Sequence, residues 1–543
     1  MDRTRFFWLR LCLTLIAVLT LFSKSYSQSK PNIIFILADD MGYSDIGCYG
    51  GEVATPNIDK LAKNGVKFNQ FYNTARCCPT RASLLTGLYP HNTGLGYMTG
   101  FNQNAPGYKG EIGTNCVTIP EVLKTAGYHS YMAGKWHVSI NTKNTGPKNN
   151  WPLQRGFERY FGTIPGSGSF FTPKGLAAGN TIIKAPANFY YTDAISDTAS
   201  KYISEHVQKV KNDPFFLYVA YTAPHWPLHA KPQDIQKYMK IYEQGWDELR
   251  MSRYNRMIRL GILAPTTKLT KRTDTVPAWK TIPAAEKALW IKRMAIYAAQ
   301  IDCMDQGIGR IMETLEKHRL TKNTLVIFMS DNGGCAETIS NTDKSIEALG
   351  TVDSFESYRT NWANLSNTPF KLYKCRVHEG GISAPFIASW QGHLATNGTW
   401  IKTPAHVIDL MPTFMQLAGA KYPSSFKGNA IHPVQGVDIM PLLKGKTIAK
   451  RTLYWEHEAN RAILLPDGWK LVSKSSNKAP FAGPWELYNL NNDRSETTDL
   501  ANRFPAKVKA MSTLWTSWAN QNHVFPLDGT DLWERGRLMD REN

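Results

Sequence analysis

The chain has little of what several large protein classes require. Its eight cysteines, at 12, 48, 77, 78, 116, 303, 335 and 375, include no pair separated by two residues, which argues against a zinc ribbon. No repeat of roughly 20 to 50 residues and no low-complexity tract is present, which removes solenoids and propellers. The apolar run LCLTLIAVLTLF at 11–22 falls short of the ~20 residues that a spanning helix needs. A mean hydropathy of −0.35 excludes a polytopic membrane protein. Acidic residues are scarce beside basic ones, 44 against 63, giving +19 over 543 residues. That excess favours an anionic partner, and nucleic acid, anionic lipid and acidic polysaccharide all qualify.

What is present is an ordinary globular composition, 42% apolar, 20% charged and 12% aromatic, long enough for a large α/β domain and a smaller one. Arg3, Arg5 and Arg10 precede the apolar run, and Ser25-Tyr26-Ser27 offers small residues where a signal peptidase reads. Residues 1–27 are therefore read as a secretory signal. The expected location is periplasmic or secreted, with no stable membrane insertion after cleavage. Export removes DNA as a partner, and no basic helix with base-reading spacing is evident, so nucleic acid is not expected. Cleavage also leaves seven cysteines, an odd number that strands at least one thiol.

Short apolar runs alternate with helical patterns. NIIFILA (32–38), HSYMA (129–133), FFLYVAY (215–221), TLVIFMS (324–330) and APFIASW (384–390) read as strands. In TPNIDKLAKNGVKF, Thr55 is placed to cap a helix, Pro56 suits its first turn, and Ile58, Leu61 and Ala62 share a face. Continuous apolar strands between helices predict a large mixed, mostly parallel sheet covered on both faces. From about 430 the texture changes to TLYWEHE, RAILL, WKLVS and WELYNL with close turns, which predicts a small antiparallel sheet, then a helix over 505–521. The expected organisation is a catalytic domain over 28–430 and a C-terminal α+β subdomain over 431–543. The stretch 230–286 reads as a helical insertion over one end of the larger domain.

Ligand sites of such sheets lie beyond the carboxyl ends of the strands. NIIFILA ends in Asp39-Asp40, TLVIFMS in Asp331-Asn332, HSYMA leads to Lys135 and His137, and FFLYVAY leads to His225. Three carboxylates and an amide carbonyl at one rim suit a hard cation, Ca2+ or Mg2+, and disfavour zinc and copper. In ARCCPTRASLLTG, Pro79 and the run 81–87 read as a short helix, so Cys77 precedes a helix N-terminus, where an anion is stabilised. A plain thiolate, burial and a disulfide are all compatible with that position.

Cys77-Cys78-Pro79-Thr80-Arg81 followed by ASLLTG resembles the signature of type I sulfatases, whose first cysteine is oxidised to Cα-formylglycine. GYHSYMAGKWH (127–137) is similar to their second signature, and ILADDMGYSD, APHWP, SDNGG and KLYKCRVHEGGISAP follow in family order. The resemblance, which extends from about Pro31 to the C-terminus, implies an alkaline-phosphatase-like fold and hydrolysis of sulfate monoesters. Asp39, Asp40, Asp331 and Asn332, with Cys77 as formylglycine, match the ligands of one Ca2+. Arg81 matches the brace of the modified side chain. Lys135, His137, His225 and Lys374 match the sulfate-binding and proton-transfer groups. In the implied scheme one hydroxyl of the hydrated aldehyde attacks sulfur while His225, with Lys374, protonates the departing oxygen. His137 then accepts the proton of the second hydroxyl as sulfate leaves. Three departures stand out: Thr80 replaces the commoner serine, Arg76 precedes the motif, and Val138-Ser139 follows Gly-Lys-Trp-His where Leu-Gly is common.

The expected partners are a sulfated small molecule or glycan and a formylglycine-generating maturation enzyme. Sulfated carbohydrates, with activity on aryl sulfates, are the expected substrates. A formylglycine-dependent phosphonate monoester or phosphodiester hydrolase is the alternative enzyme, and a catalytically silent binder of anionic glycans is the alternative outside enzymes. The segment Tyr454-Trp455-Glu456-His457-Glu458 reads either as pocket rim or as a core-facing strand.

Overall fold

The computed structural model describes residues 30–525 apart from 211, 341–344, 396 and 476–479. The segment read as a secretory signal lies outside the described residues.

Eleven strands form one sheet: β1 (Asn32–Ala38), β2 (Val66–Tyr72), β3 (His129–Gly134), β4 (Arg159–Thr163), β5 (Leu176–Ala178), β6 (Thr181–Ile182), β7 (Phe215–Ala220), β8 (Thr324–Ser330), β9 (Ser383–Ser389), β10 (Thr399–Ile401) and β11 (Ala405–His406). Their order is β10-β2-β9-β8-β1-β7-β3-β4-β5-β6, with β11 paired to β2. β8, β1, β7, β3 and β4 pair in parallel, whereas β9 pairs antiparallel with both β8 and β2. The predicted strand at 384–390 thus begins one residue earlier and runs against its neighbours.

The apolar runs are continuous because both faces are buried. Ile34 and Ile36 of β1 face one core, with the helices Tyr191–Lys209 and Ala284–Lys317. Ile33, Phe35 and Leu37 face the other, with the helices Cys77–Thr86 and Leu410–Ala418. Each such side chain contributes about 1.5–3 kcal/mol on burial. The stretch 230–286 is helical over Pro232–Met239 and Gly245–Arg259 and at the start of the helix Ala284–Lys317, with short 3-10 turns at Ile241–Gln244 and Trp279–Thr281 and non-helical chain between. It is also less peripheral than the sequence suggests, since Trp246 is fully buried against Trp279, Trp290 and Trp362.

After a short hairpin, β12 (Ser425–Phe426) and β13 (Asn429–Ala430), four antiparallel strands follow: β14 (Leu453–His457), β15 (Asn460–Leu464), β16 (Trp469–Ser473) and β17 (Glu486–Asn489). Alternation along these strands splits their side chains between two cores. Ile463, Leu471 and Leu487 pack with Met511 and Trp515 of the helix Pro505–Gln521. Leu453, Trp455, Ala462 and Val472 pack against Tyr72, Ala75, Val377 and Ile382. The second face therefore presses the small sheet onto the loops that flank Cys77 and Lys374.

Candidate active site

Four adjacent parallel strands, β8, β1, β7 and β3, deliver their following residues to one rim, as an open parallel sheet requires. β1 is followed by Asp39 and Asp40, β8 by Asp331 and Asn332, β3 by Lys135 and His137, and β7 by the turn carrying His225. At the end of β3, Gly134 has φ +121°, and a Cβ there would lie 1.9 Å from the Ala220 carbonyl oxygen of β7. Only glycine permits that approach, which aims Lys135 into the site.

Lys135 Nζ donates to Asp39 Oδ2 at 2.6 Å, and Lys374 Nζ donates to Asp40 Oδ2 at 2.8 Å. An Arg81 terminal nitrogen donates to Asp331 Oδ2 at 2.8 Å and lies 3.6 Å from Asp39 Oδ1. The Asp40 backbone N–H donates to Asp331 Oδ1, and Asn332 Nδ2 donates to Asp40 Oδ1. Every one of these groups is at most 6% exposed. All the expected site residues are brought together, and among the described residues Asp39, Asp40 and His225 place candidate ligand atoms within 4.8 Å of one another.

Two oxygens stand out in this crowded cluster. Asp39 Oδ1 and Asn332 Oδ1 are buried and accept no hydrogen bond. Leaving a buried acceptor unpaired costs about 1–3 kcal/mol. Burial and the charge of Asp39 push the Asp331 carboxyl well up, against Arg81. Burial also opposes ionisation of Asp39, but Lys135, His225 and Arg81 outweigh it and hold that carboxyl low. Oxygen donors that accept no hydrogen bond, beside carboxylates whose joint ionisation is unfavourable, fit a divalent hard cation.

Cys77 is the first residue of the helix Cys77–Thr86, whereas the sequence pattern placed it ahead of a helix beginning at 81. The extended Arg76 caps the helix, and its carbonyl accepts the first helical hydrogen bond from Thr80 N. The Thr80 hydroxyl lies 2.9 Å from Thr74 Oγ1 and accepts from the Thr74 N–H at 3.1 Å. The Cys77 thiol lies well below its ordinary value, first through a hydrogen bond with Cys78, then, against burial, through Lys135, His137 and Lys374. Position 77 is therefore an anion-stabilising environment.

Burial pushes the His137 imidazole down to about 4, assisted by Lys135, so it stands as a neutral proton acceptor at pH 7. His225 Nδ1 lies 2.6 Å from the Trp226 carbonyl, which places a hydrogen on Nδ1. Its Nε2 faces Asp40 Oδ2 at 3.3 Å and Lys374 Nζ at 3.4 Å. Burial would discharge Lys374, but Asp40, Cys335 and Glu337 hold its ammonium pKa well up. A cavity of about 540 Å³ is lined by Cys77, His137, His225 and Lys374, together with Arg76, Trp226, Glu337 and Phe355.

The sequence reading missed the supports of this site. Tyr454–His457 lies in β14 as a core-facing strand, with Trp455, Glu456 and His457 buried and none of them lining the cavity. Glu458, in the turn beyond, binds Arg76 at 3.1 Å, beside Cys77. Two residues on, Asn460 Nδ2 donates to the Cys375 carbonyl and Asn460 Oδ1 accepts from Arg376, beside Lys374. The small sheet thus holds both flanks of the site. Its only signal in the sequence is the polar cluster after an aromatic strand.

The sulfatase family model matches residues 31–420. An uncharacterised sulfatase of Schizosaccharomyces pombe is 31% identical, over 93% of this chain and 96% of its own length. An arylsulfatase of Klebsiella aerogenes is 33% identical, over 78% of this chain and 94% of its own. The crystal structure of Ps i-CgsB superposes with a TM-score of 0.67 at 26% identity, covering 94% of this chain and 98% of that one. With a family match across most of its length, the chain belongs to the sulfatase family and is an enzyme that hydrolyses sulfate esters.

Proposed function

We propose that the enzyme hydrolyses sulfate monoesters with residue 77 as Cα-formylglycine beside one Ca2+, acting on sulfated carbohydrates and on aryl sulfates. The observation that carries this reading is the convergence of Cys77, two lysines and two histidines on a buried set of oxygen ligands. Asp39, Asp40, Asp331 and Asn332, with residue 77, would hold the cation, which would supply charge neutralisation for the ester oxygens. Modified residue 77 would supply a hydroxyl nucleophile that no unmodified side chain here matches.

The chain's own groups account for the rest. Lys135 and Lys374, themselves buried, meet the sulfate charge at the floor of the cavity, where fixed charges act strongly. Arg81, spanning Asp331 and Asp39, fixes the carboxylates that orient residue 77. His225, with Lys374 at 3.4 Å, holds a proton where the alcohol departs. His137, neutral, accepts one from residue 77. Neutral His137 and fully paired lysines favour turnover over silent binding. Export to the periplasm or beyond belongs to the same proposal, as does a division near residue 430 between catalytic domain and C-terminal subdomain.

Comparing kcat/KM for 4-nitrophenyl sulfate, bis(4-nitrophenyl) phosphate and a phenyl phosphonate monoester tests the reading. Sulfate is expected to exceed both by at least a hundredfold, and a preference for phosphonate or phosphodiester substrates would favour the alternative hydrolase.

A further inference from the structure

Resting on the sulfatase reading, the cavity walls carry information about what the sulfate is attached to. Among its described lining residues the charged side chains are Arg76, Glu337 and Lys374, apart from the two histidines. Both cations are committed. Lys374 is held by Asp40 at 2.8 Å and lies 3.5 Å from Glu337. Arg76 lies between two carboxylates, Glu337 at 3.3 Å and Glu458 at 3.1 Å, and also donates to the Cys375 sulfur at 2.6 Å.

Glu337 is the wall's distinctive group. Its Oε2 accepts from Trp226 Nε1 at 2.8 Å and from the Cys335 thiol at 3.1 Å, and its side chain remains 23% exposed. Burial alone would favour the neutral acid, but Lys374, Arg76 and the Trp226 N–H hold it well below the usual carboxylate range. Beside it, the Trp226 and Phe355 rings lie 5.7 Å apart, edge to face. The wall therefore combines an aromatic surface with a fixed anion that accepts hydrogen bonds.

We infer that Glu337, Trp226 and Phe355 form the leaving-group subsite, which selects an uncharged ring, a monosulfated phenol or neutral sugar, and rejects a ring bearing a second anion next to the ester. The ring lies on the aromatic surface, as in many sites built of apolar walls and few polar groups. A substrate hydroxyl or amide donates to Glu337. A second sulfate or a carboxylate meets the same carboxylate with no uncommitted cation among the described lining residues. Rejection of this kind is a built repulsion, and it costs neutral substrates nothing.

The test uses the full-length mature enzyme and two matched probes, 3-carbamoylphenyl sulfate and 3-carboxyphenyl sulfate, which differ in charge but little in shape. The wild type is expected to favour the carbamoyl ester at least tenfold in kcat/KM. Glu337→Gln is expected to reduce that preference to within about threefold, with the change carried mainly by KM of the carboxylate probe. Trp226→Phe, which keeps the ring but removes the donor to Glu337, should retain the preference at least in part. Equal kcat/KM for the two probes in the wild type, or an equal loss on both in Glu337→Gln, would overturn the inference and leave the sulfatase reading standing. Failure of the wild type to turn over either probe or 4-nitrophenyl sulfate would count against that reading instead.

Discussion

His225→Ala separates proton donation from charge neutralisation. The imidazole is 4% exposed, with its Nδ1 hydrogen directed to the Trp226 carbonyl and its Nε2 3.3 Å from Asp40 and 3.4 Å from Lys374. Loss of a positioned general acid is worth about 10²–10⁴ in rate, or roughly 3–5 kcal/mol at 1.36 kcal/mol per tenfold. Lys374 stays charged in the variant and reaches the same region, so the expected loss for a sugar or alkyl sulfate lies in the lower half of that range, about 10²–10³. An activated aryl sulfate releases a stable phenolate and needs little protonation, so its loss should stay below about tenfold. The assay is kcat/KM across aryl sulfates of graded leaving-group pKa, plotted for both enzymes. The variant should show the steeper dependence. Parallel plots, with the same loss at every leaving group, would refute the assignment of His225 as the acid.

Other expectations follow from the same geometry. Asp40→Ala removes the partner of Lys374 and one oxygen ligand, and should lose bound calcium and activity together, read by metal analysis and turnover; tightly bound stoichiometric zinc that calcium cannot replace would contradict this. His137→Ala should slow sulfate release from residue 77, because the proton it accepts comes from that residue and not from the alcohol, so kcat should converge on one low value for all substrates and mass spectrometry should find sulfated enzyme accumulating. Asn460→Ala strips hydrogen bonds from the Cys375 carbonyl and Arg376, and should lower kcat about tenfold with little change in KM, at a cost of about 1–3 kcal/mol in denaturant unfolding. Burial opposes ionisation of Glu458, but His457 and Arg76 hold it down to about 2, against 4.5 in the unfolded chain. The stability it contributes is therefore present above about pH 4.5 and lost as pH falls through 2, and Glu458→Gln should flatten that part of the acid unfolding curve.

The sheet was legible because its central strands are buried on both faces, so Ile33 to Leu37 had to be apolar at every position rather than at alternate ones. Residues just beyond such strands fall at one rim by topology alone, which is why Asp39, Asp331, Lys135 and His225 could be grouped without coordinates. The helix start at Cys77 was misplaced by four residues because Pro79 fits anywhere in a first turn. The reversed direction of β9 left no trace, since a buried antiparallel strand carries the same apolar run as a parallel one. Least visible were long-range supports such as Glu458 to Arg76 and Asn460 to Cys375, which join positions 382 and 85 residues apart. Hydrophobic periodicity says nothing about a polar contact across that separation.

The most direct test of the account is the mass of the peptide containing residue 77, taken from protein produced with a competent maturation enzyme and shown to hydrolyse 4-nitrophenyl sulfate. The account predicts that Cys77 has lost the mass that separates a thiol from an aldehyde, while Cys78 in the same peptide keeps its thiol. Active enzyme whose Cys77 is entirely an unmodified thiol would contradict it.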